Sequence, residues 1–418
     1  MQTTSLQREL RRLSQDIEVP NHEDRDNHRF PEHLVVDDPD FDRLVQELWE
    51  ASRPPQDSVA ETHREYLRSV LLNLARGALT RQWTVFLGSN NSYSEGGLMH
   101  TLGFASRRRV QAILELLESR GGLLKVTGKK YQKQGQANLY WASDALREQL
   151  IWVGLQTMAP SSFSMPFLRI NDPEGSAKNF VWPTDHEDYL DMQTINEFAK
   201  DQEWAMKSAI QLVFKHDPFR AGRLHTPFQN LPSRKYKIRI NTQINGEPIC
   251  EVDFNANHLR MLLATHQRDV VGGDDAYSAI SEKAKVERNS VKGFFTVAMN
   301  CPSFEKAHHA ARETSYKVPY EDCKAIYSAF ETIYPNVPLF SEGINFGVIA
   351  QNLEGRILRK VMLRGIQENI FALPIHDAVA VELSHMSWAC DAMKDAWEAE
   401  MKEIHKGAKA VVSTKIAD

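Results

Sequence analysis

An α+β fold in two unlike parts is what the sequence predicts, and three features predict it. A basic helix–helix–hairpin run lies between residues 98 and 142. Two strand-forming blocks, at 249–253 and 370–383, each carry an aspartate at a strand end. Stretches of helical periodicity lie between and after those blocks. The chain has 418 residues, 42% hydrophobic and 25% charged, the composition of a globular protein of roughly two to three domains. Fifty Lys and Arg against 55 Asp and Glu leave a formal charge of −5, so a polyanion must be met by a local basic patch. No apolar run reaches the roughly 18 residues of a membrane span, and Met1–Arg12 is polar and charged, so a cytoplasmic protein without membrane contact is expected. Cys250, Cys301, Cys323 and Cys390 are far apart with no C-x-x-C pair, so neither a disulfide framework nor a zinc ribbon is indicated and buried thiols are the expectation.

In chain order, residues 1–55 are rich in Asp, Glu, Arg, Asn and Pro and read as a mobile polar arm that ends in a short helix over Phe41–Trp49. From Glu61, Tyr66, Val70, Leu71, Leu74 and Leu79 recur on one helical face. Ser106 is a plausible N-cap for a helix over Arg109–Arg120, with Val110, Ile113, Leu114 and Leu117 on its apolar face and Gly121 and Gly122 ending it. Strands over Leu123–Thr127 and Ala137–Ala142 follow, and that order fits a winged helix spanning residues 56–155. Between Thr101 and Gln136 eight basic residues face two acids, a net +6 against the sign of the whole chain. Arg107, Arg108 and Arg109 at the helix start, and Lys129, Lys130 and Lys133 in the hairpin, are the candidate phosphate-contacting patch. Residues 156–217 read as a connector and possible reduced thumb, with a strand at Phe167–Ile170 and helical patterns around Leu190–Phe214.

The chemistry-bearing blocks lie in residues 218–418. Asn245-Gly246 reads as a turn into a buried strand, Ile249–Val252, that ends at Asp253, and a helix begins near Leu259. IFALPIHDAVAVEL, from Ile370, reads as a hairpin with His376-Asp377 at its tip. Two carboxylates on strands of one sheet suit a hard divalent cation, which takes oxygen ligands and bridges phosphates. Between the blocks, Arg288 and Lys292 are four apart, so one helix face can offer two cations to a triphosphate. Glu305, His308 and His309 also suggest a metal cluster, but adjacent histidines should point to different helix faces. Trp388–Ile404, with Met393, Trp397, Met401 and Ile404 at helical spacing, reads as a core helix, and Glu382 as structural.

GRLHTPFQNLP followed by VDFNANHLR resembles the motif A region of family A DNA polymerases, GR…QN…DYSxxELR. ERNSVK resembles their motif B, R-x-x-x-K, and PIHDAVAVE their motif C, V-H-D-E. The likeness runs from Ala221 to Asp418, is closest to short phage and prophage polymerase-like proteins, and shares its three-motif layout with single-subunit phage RNA polymerases. It implies a right-hand palm built on an antiparallel sheet, with helical fingers. It also implies two Mg²⁺ or Mn²⁺ ions on Asp253, Asp377 and the Phe254 carbonyl, with Arg288 and Lys292 on the incoming triphosphate. Gly222, Arg223, Gln229, Asn230, Gln351 and His376 are then implied at the primer–template.

The departures from the family pattern are specific. His258 stands where the family places a sugar-selecting Glu, and reads equally as a core histidine or as a sugar contact. The motif B aromatic is missing, with Asn300 at its position, or Met299 on a one-residue offset, and Thr296 at the intermediate position. Ala378 replaces the acid after the motif C aspartate, and the chain has no room for an exonuclease domain of usual size. The expectation is a template-dependent nucleotidyltransferase, foremost a compact DNA polymerase of phage or mobile-element type acting on a primer–template of DNA (or RNA) and nucleoside triphosphates, with a replication protein as a further partner. The rivals are an RNA polymerase or primase-like enzyme, a DNA-binding replication initiator or regulator with a degenerate polymerase half, and a template-independent terminal transferase.

Overall fold

The structure, a computed structural model, describes residues 5–23, 28–51, 60–86, 90–95, 97–128, 137–164, 166–171, 182–215, 217–233, 235–340 and 345–417. It is a mixed α+β architecture. The first part runs α1 (Ser5–Gln15), β1 (His28–Arg29), α2 (Pro39–Ala51), α3 (Ala60–Thr80), β2 (Trp83–Val85), α4 (Leu98–Thr101), α5 (Arg107–Ser119), β3 (Leu123–Val126), β4 (Leu139–Ala142) and α6 (Asp144–Gln156). The strands form a sheet of order β1-β2-β4-β3, antiparallel except that β1 lies parallel to β2. The apolar face expected of α3 is the buried one: Tyr66, Val70, Leu71, Leu74 and Leu79 are each at most 5% exposed.

The connector differs from its helical expectation. β5 (Leu168–Asn171) and α7 (Glu187–Asp201) lead into β6 (Gln211–Lys215) and β7 (Asp217–His225), which form the sheet β5-β6-β7. Residues 211–215 are strand rather than helix because burial alternates there, with Leu212 and Phe214 inward and their neighbours outward. The N-terminal segment differs as well. Polar as it reads, it contains α1, whose Leu10 and Leu13, with Ile17 just beyond, enter the central hydrophobic cluster. Arg147 of α6, 1% exposed, donates to the carbonyls of Ser14 and Gln15, capping the end of that helix.

The last part comprises β8 (Gln243–Ile244), β9 (Glu247–Phe254), α8 (Asn257–Thr265), α9 (Ser278–Ala284), α10 (Arg288–Ala298), α11 (Phe304–Glu313), α12 (Tyr320–Ile333), α13 (Phe346–Gln367), β10 (Leu373–Ile375), β11 (Ala378–Glu382), α14 (Met386–Lys402) and β12 (Val412–Ile416). Its antiparallel sheet has the order β10-β11-β9-β12, with β8 hairpinned onto β9 through Asn245 and Gly246, both at positive φ. α14 packs beside this sheet, α13 packs on α14 and on β7, and α8–α12 share a separate apolar cluster that includes Phe294, Phe295 and Phe330. Met393, Trp397 and Met401 are buried as expected of a core helix, but Ile404, beyond the end of α14, is 39% exposed. Cys250 and Cys323 are buried, Cys301 and Cys390 half-buried, and all four are free thiols. Among the described residues no helix is long and apolar enough to cross a membrane.

Candidate functional site

β9 and the β10–β11 hairpin bring the two sequence-predicted aspartates together. Asp253 pairs in register with Ala378, and Ile375 with Ala378 across the hairpin, so Asp377 lies in the two-residue turn beside Asp253. His376, at φ 54°, takes the left-handed conformation that so tight a turn requires. Strand alternation sends Glu251 and Asp253 to one face and Val252 and Phe254 to the core, and Phe254 closes β9 directly after the aspartate. The face opens into a cavity of about 550 Å³ lined by Gln229, Arg239, Glu251, Asp253, His376, Asp377 and Lys415 among others.

The electrostatics of the pair are strained in the direction that cations relieve. Burial, then the charges of Glu354 and Asp253, push the Asp377 carboxyl up to about 7. The Asp253 carboxyl is also raised, by burial, against the opposing charges of Lys415 and Lys292. Its Oδ1 is buried without a hydrogen-bond partner among the described residues, while Oδ2 lies 3.5 Å from Lys415 Nζ on β12. An orphaned carboxylate oxygen beside a second aspartate, both aimed into a polar cavity, fits a hard divalent cation. Beneath them Glu251, 3% exposed, takes a two-pronged pair from Arg239 at 2.7 and 3.0 Å, and Arg239 also donates to the Gln229 carbonyl at 2.8 Å.

Glu354 on α13 organises the other side. Fully buried, it accepts from Arg223 Nε at 2.8 Å, His258 Nε2 at 3.0 Å and Asn257 Nδ2 at 3.4 Å, and Trp397 Nε1 donates to Asn257 Oδ1 at 2.9 Å. Burial alone would raise the Glu354 carboxyl. The His258 hydrogen bond and the Arg223 charge overcome it and hold the group down at about 2. The framework is tight here: Gly222 has φ +77°, and a Cβ on Gly355 would lie 1.9 Å from the Gly222 carbonyl oxygen. Gln351 is half-buried one turn before Glu354.

Arg288 and Lys292 both sit on α10, as their spacing requires. Arg288 is committed to Asp275, with Nη2 to Oδ1 at 3.0 Å, and its guanidinium lies 5.6 Å from the Tyr277 ring centre. Lys292 is exposed, within electrostatic reach of Asp253. Neither residue proposed for the missing aromatic supplies a ring. Asn300 is exposed and Met299 buried, whereas Tyr277, its ring tilted against Phe295 at 6.0 Å, lies close enough to Asp377 for the two groups to interact electrostatically. Of the primer–template candidates, Arg223 serves the Glu354 network and Gln229 is buried with Nε2 3.0 Å from His225 Nδ1, while Asn230 and His376 are exposed.

Arg107 and Arg108 are exposed and Arg109 half-buried at the start of α5; Ser106 occupies the N-cap but its side chain makes no capping bond. Lys129, Lys130 and Lys133 lie outside the described residues. The separation expected of His308 and His309 does not hold. Their ring centres are 4.1 Å apart, with His308 buried and His309 exposed, and Glu305 Oε2 lies 3.0 Å from His308 Nε2. Glu354, Asp275, Tyr277 and Lys415 escaped the sequence reading. An acid within the apolar repeat of α13 was the one available signal, for Glu354.

No protein-family model matches the chain, and no curated protein sequence does. Among solved structures the chain is similar to the POL domain of Pol1 from M. smegmatis, in complex with DNA primer-template and dNTP, at a TM-score of 0.34 and 11% identity over 98% of this chain and 68% of that one. A score of that size does not define the fold.

Proposed function

We propose that the chain is a template-dependent nucleotidyltransferase, foremost a DNA polymerase, with residues 218–418 as palm and fingers, 56–155 as a winged-helix-like nucleic-acid-binding module and 156–217 as connector. One observation carries the reading: Asp253 and Asp377 converge at neighbouring strand ends beside a polar cavity, with an Asp253 oxygen that has no hydrogen-bond partner among the described residues. A sheet under no functional demand has no physical use for two raised, adjacent carboxylates. The helix–strand–helix–helix–hairpin order of α3 to β4, with Arg107 and Arg108 at a helix start, supports the nucleic-acid module.

Asp253 and Asp377 would hold Mg²⁺ or Mn²⁺, with the Phe254 carbonyl as a further ligand. Such cations supply activation of a 3′-hydroxyl and charge neutralisation at the phosphates. Lys292 is disposed to hold triphosphate oxygens, and Arg288 can do so on exchanging its Asp275 partner for phosphate. Glu354 fixes Arg223 and His258, so that the wall beside the aspartates keeps its shape as substrates exchange. His258, bonded through Nε2, keeps Nδ1 for a sugar hydroxyl, which supports ribonucleotide use as the second reading.

The test is extension of a labelled primer on a DNA template, with dNTPs and rNTPs in separate reactions and with Mg²⁺ or Mn²⁺. Templated extension by the wild type and none by Asp377→Asn is the expected result. DNA binding without extension in any wild-type reaction would instead point to the initiator or regulator.

A further inference from the structure

A second cavity, also about 550 Å³, is lined in part by residues 225–227, 229 and 230, and Gln229 lines both it and the cavity of the aspartates. Its walls include Arg29, Arg76, Arg169, Glu32, Ser208 and Gln229. Arg29 and Arg76 are 7% and 2% exposed. Both converge on one carboxylate: Arg76 Nη1 lies 2.9 Å from Glu32 Oε2, and Arg29 Nη2 is ion-paired with Oε1 at 3.5 Å. The carbonyls of Asn73 and Thr157 occupy two further guanidinium nitrogens. Arg76 Nε, Ser208 Oγ and Gln229 Oε1 have no hydrogen-bond partner among the described residues, and Arg29 Nη2 has only its ion pair with Glu32. Among the described lining residues Glu32 is the one acid, and its side chain is 46% exposed. Arg169 stands at the rim, exposed, donating to Gln211 Oε1 at 3.2 Å.

We propose that this cavity binds a phosphate group, that of a nucleic-acid strand whose reacting end lies at the aspartates, and that Glu32 is a displaceable carboxylate holding its place. Two buried guanidiniums served by one half-exposed carboxylate carry an excess of positive charge and of unused N–H groups. A brace of that kind is costly if its only task is structural. A tetrahedral dianion offers more acceptor oxygens than a carboxylate and suits two forked donors, and Glu32 can swing out to solvent as it enters. The shared turn at Gln229 favours a strand over a free ion. Only that choice of occupant rests on the polymerase reading, whereas the anion site does not.

Binding is measured on the full chain in EDTA, in wild-type and Asp253→Asn backgrounds, so that loss of extension and loss of this site are read separately. The probes are a fluorescein-labelled single-stranded oligonucleotide, a nucleoside triphosphate and inorganic phosphate. Glu32→Gln is expected to bind the oligonucleotide about tenfold tighter, and Arg169→Gln, an exposed change that leaves the fold intact, about threefold weaker. Glu32→Gln should melt below the wild type and recover when phosphate is added; a purely structural carboxylate would give the fall without the recovery. Tighter triphosphate and phosphate binding with an unaltered oligonucleotide would overturn the strand assignment. Both variants within twofold of wild type for every probe, with no phosphate effect on melting, would overturn the site.

Discussion

Asp253→Asn or Asp377→Asn is expected to weaken Mn²⁺ binding by more than the about 10- to 100-fold that loss of an outer partner costs, as read by titration. Glu354→Gln leaves Arg223 and His258 facing a neutral group and should cost about 3 kcal/mol or more in a urea melt. The pH dependence has a definite sign. Glu354 is held at about 2, below its ordinary 4.5, so its contribution is complete above pH 4.5 and fades as the pH falls towards 2. Acid titration of the wild type should show that loss and Glu354→Gln should lack it. The two aspartates were legible because each sits at a strand end inside a recognisable block. Glu354 was not, since its partners Arg223 and His258 are 131 and 96 positions away and nothing local announces them.

Among elements, the short turns and amphipathic helices read well, and the edges of sheets did not. The β8–β9 turn follows from Asn245-Gly246, and α10 carries Arg288 and Lys292 four apart on one helix, as their spacing implied. β12 was missed because VSTKI is mostly exposed and carries little apolar alternation, yet it pairs Cys250–Phe254 of β9 and sets Lys415 beside Asp253. An ammonium there competes with a cation for the same carboxylate. Lys415→Met is therefore expected to tighten Mn²⁺ binding about two- to fivefold, the range open to a half-exposed ion pair, in the same titration. α1 escaped because its few apolar residues are embedded among charges, and burial against α6 became visible only in three dimensions.

Over the whole molecule, one hydrophobic cluster joins Leu10, Leu13, Ile17 and α6 to the sheet that carries the aspartates. The halves that composition separates are thus packed as one body around that cluster. Leu10→Ala should cost about 2–5 kcal/mol, and the loss should register in probes of both halves; urea melts followed by separate fluorophores in residues 60–156 and 247–416 would then shift together. Independent transitions would show that the shared cluster does not couple them.

The contact of Gly222 with Gly355 bears on how such a sequence can vary through descent. The obstacle to a side chain at 355 is a backbone carbonyl, 1.9 Å from where the new carbon would sit, so no shortening of a neighbouring side chain makes room. Gly222, at φ +77° against the Phe214 ring and Asn352, is closed for an independent reason. Related chains that keep the Arg223–Glu354 pair should therefore hold glycine at both positions while the outer face of α13 drifts. That pairing of two fixed positions 133 apart can be looked for before any residue of the site itself is aligned.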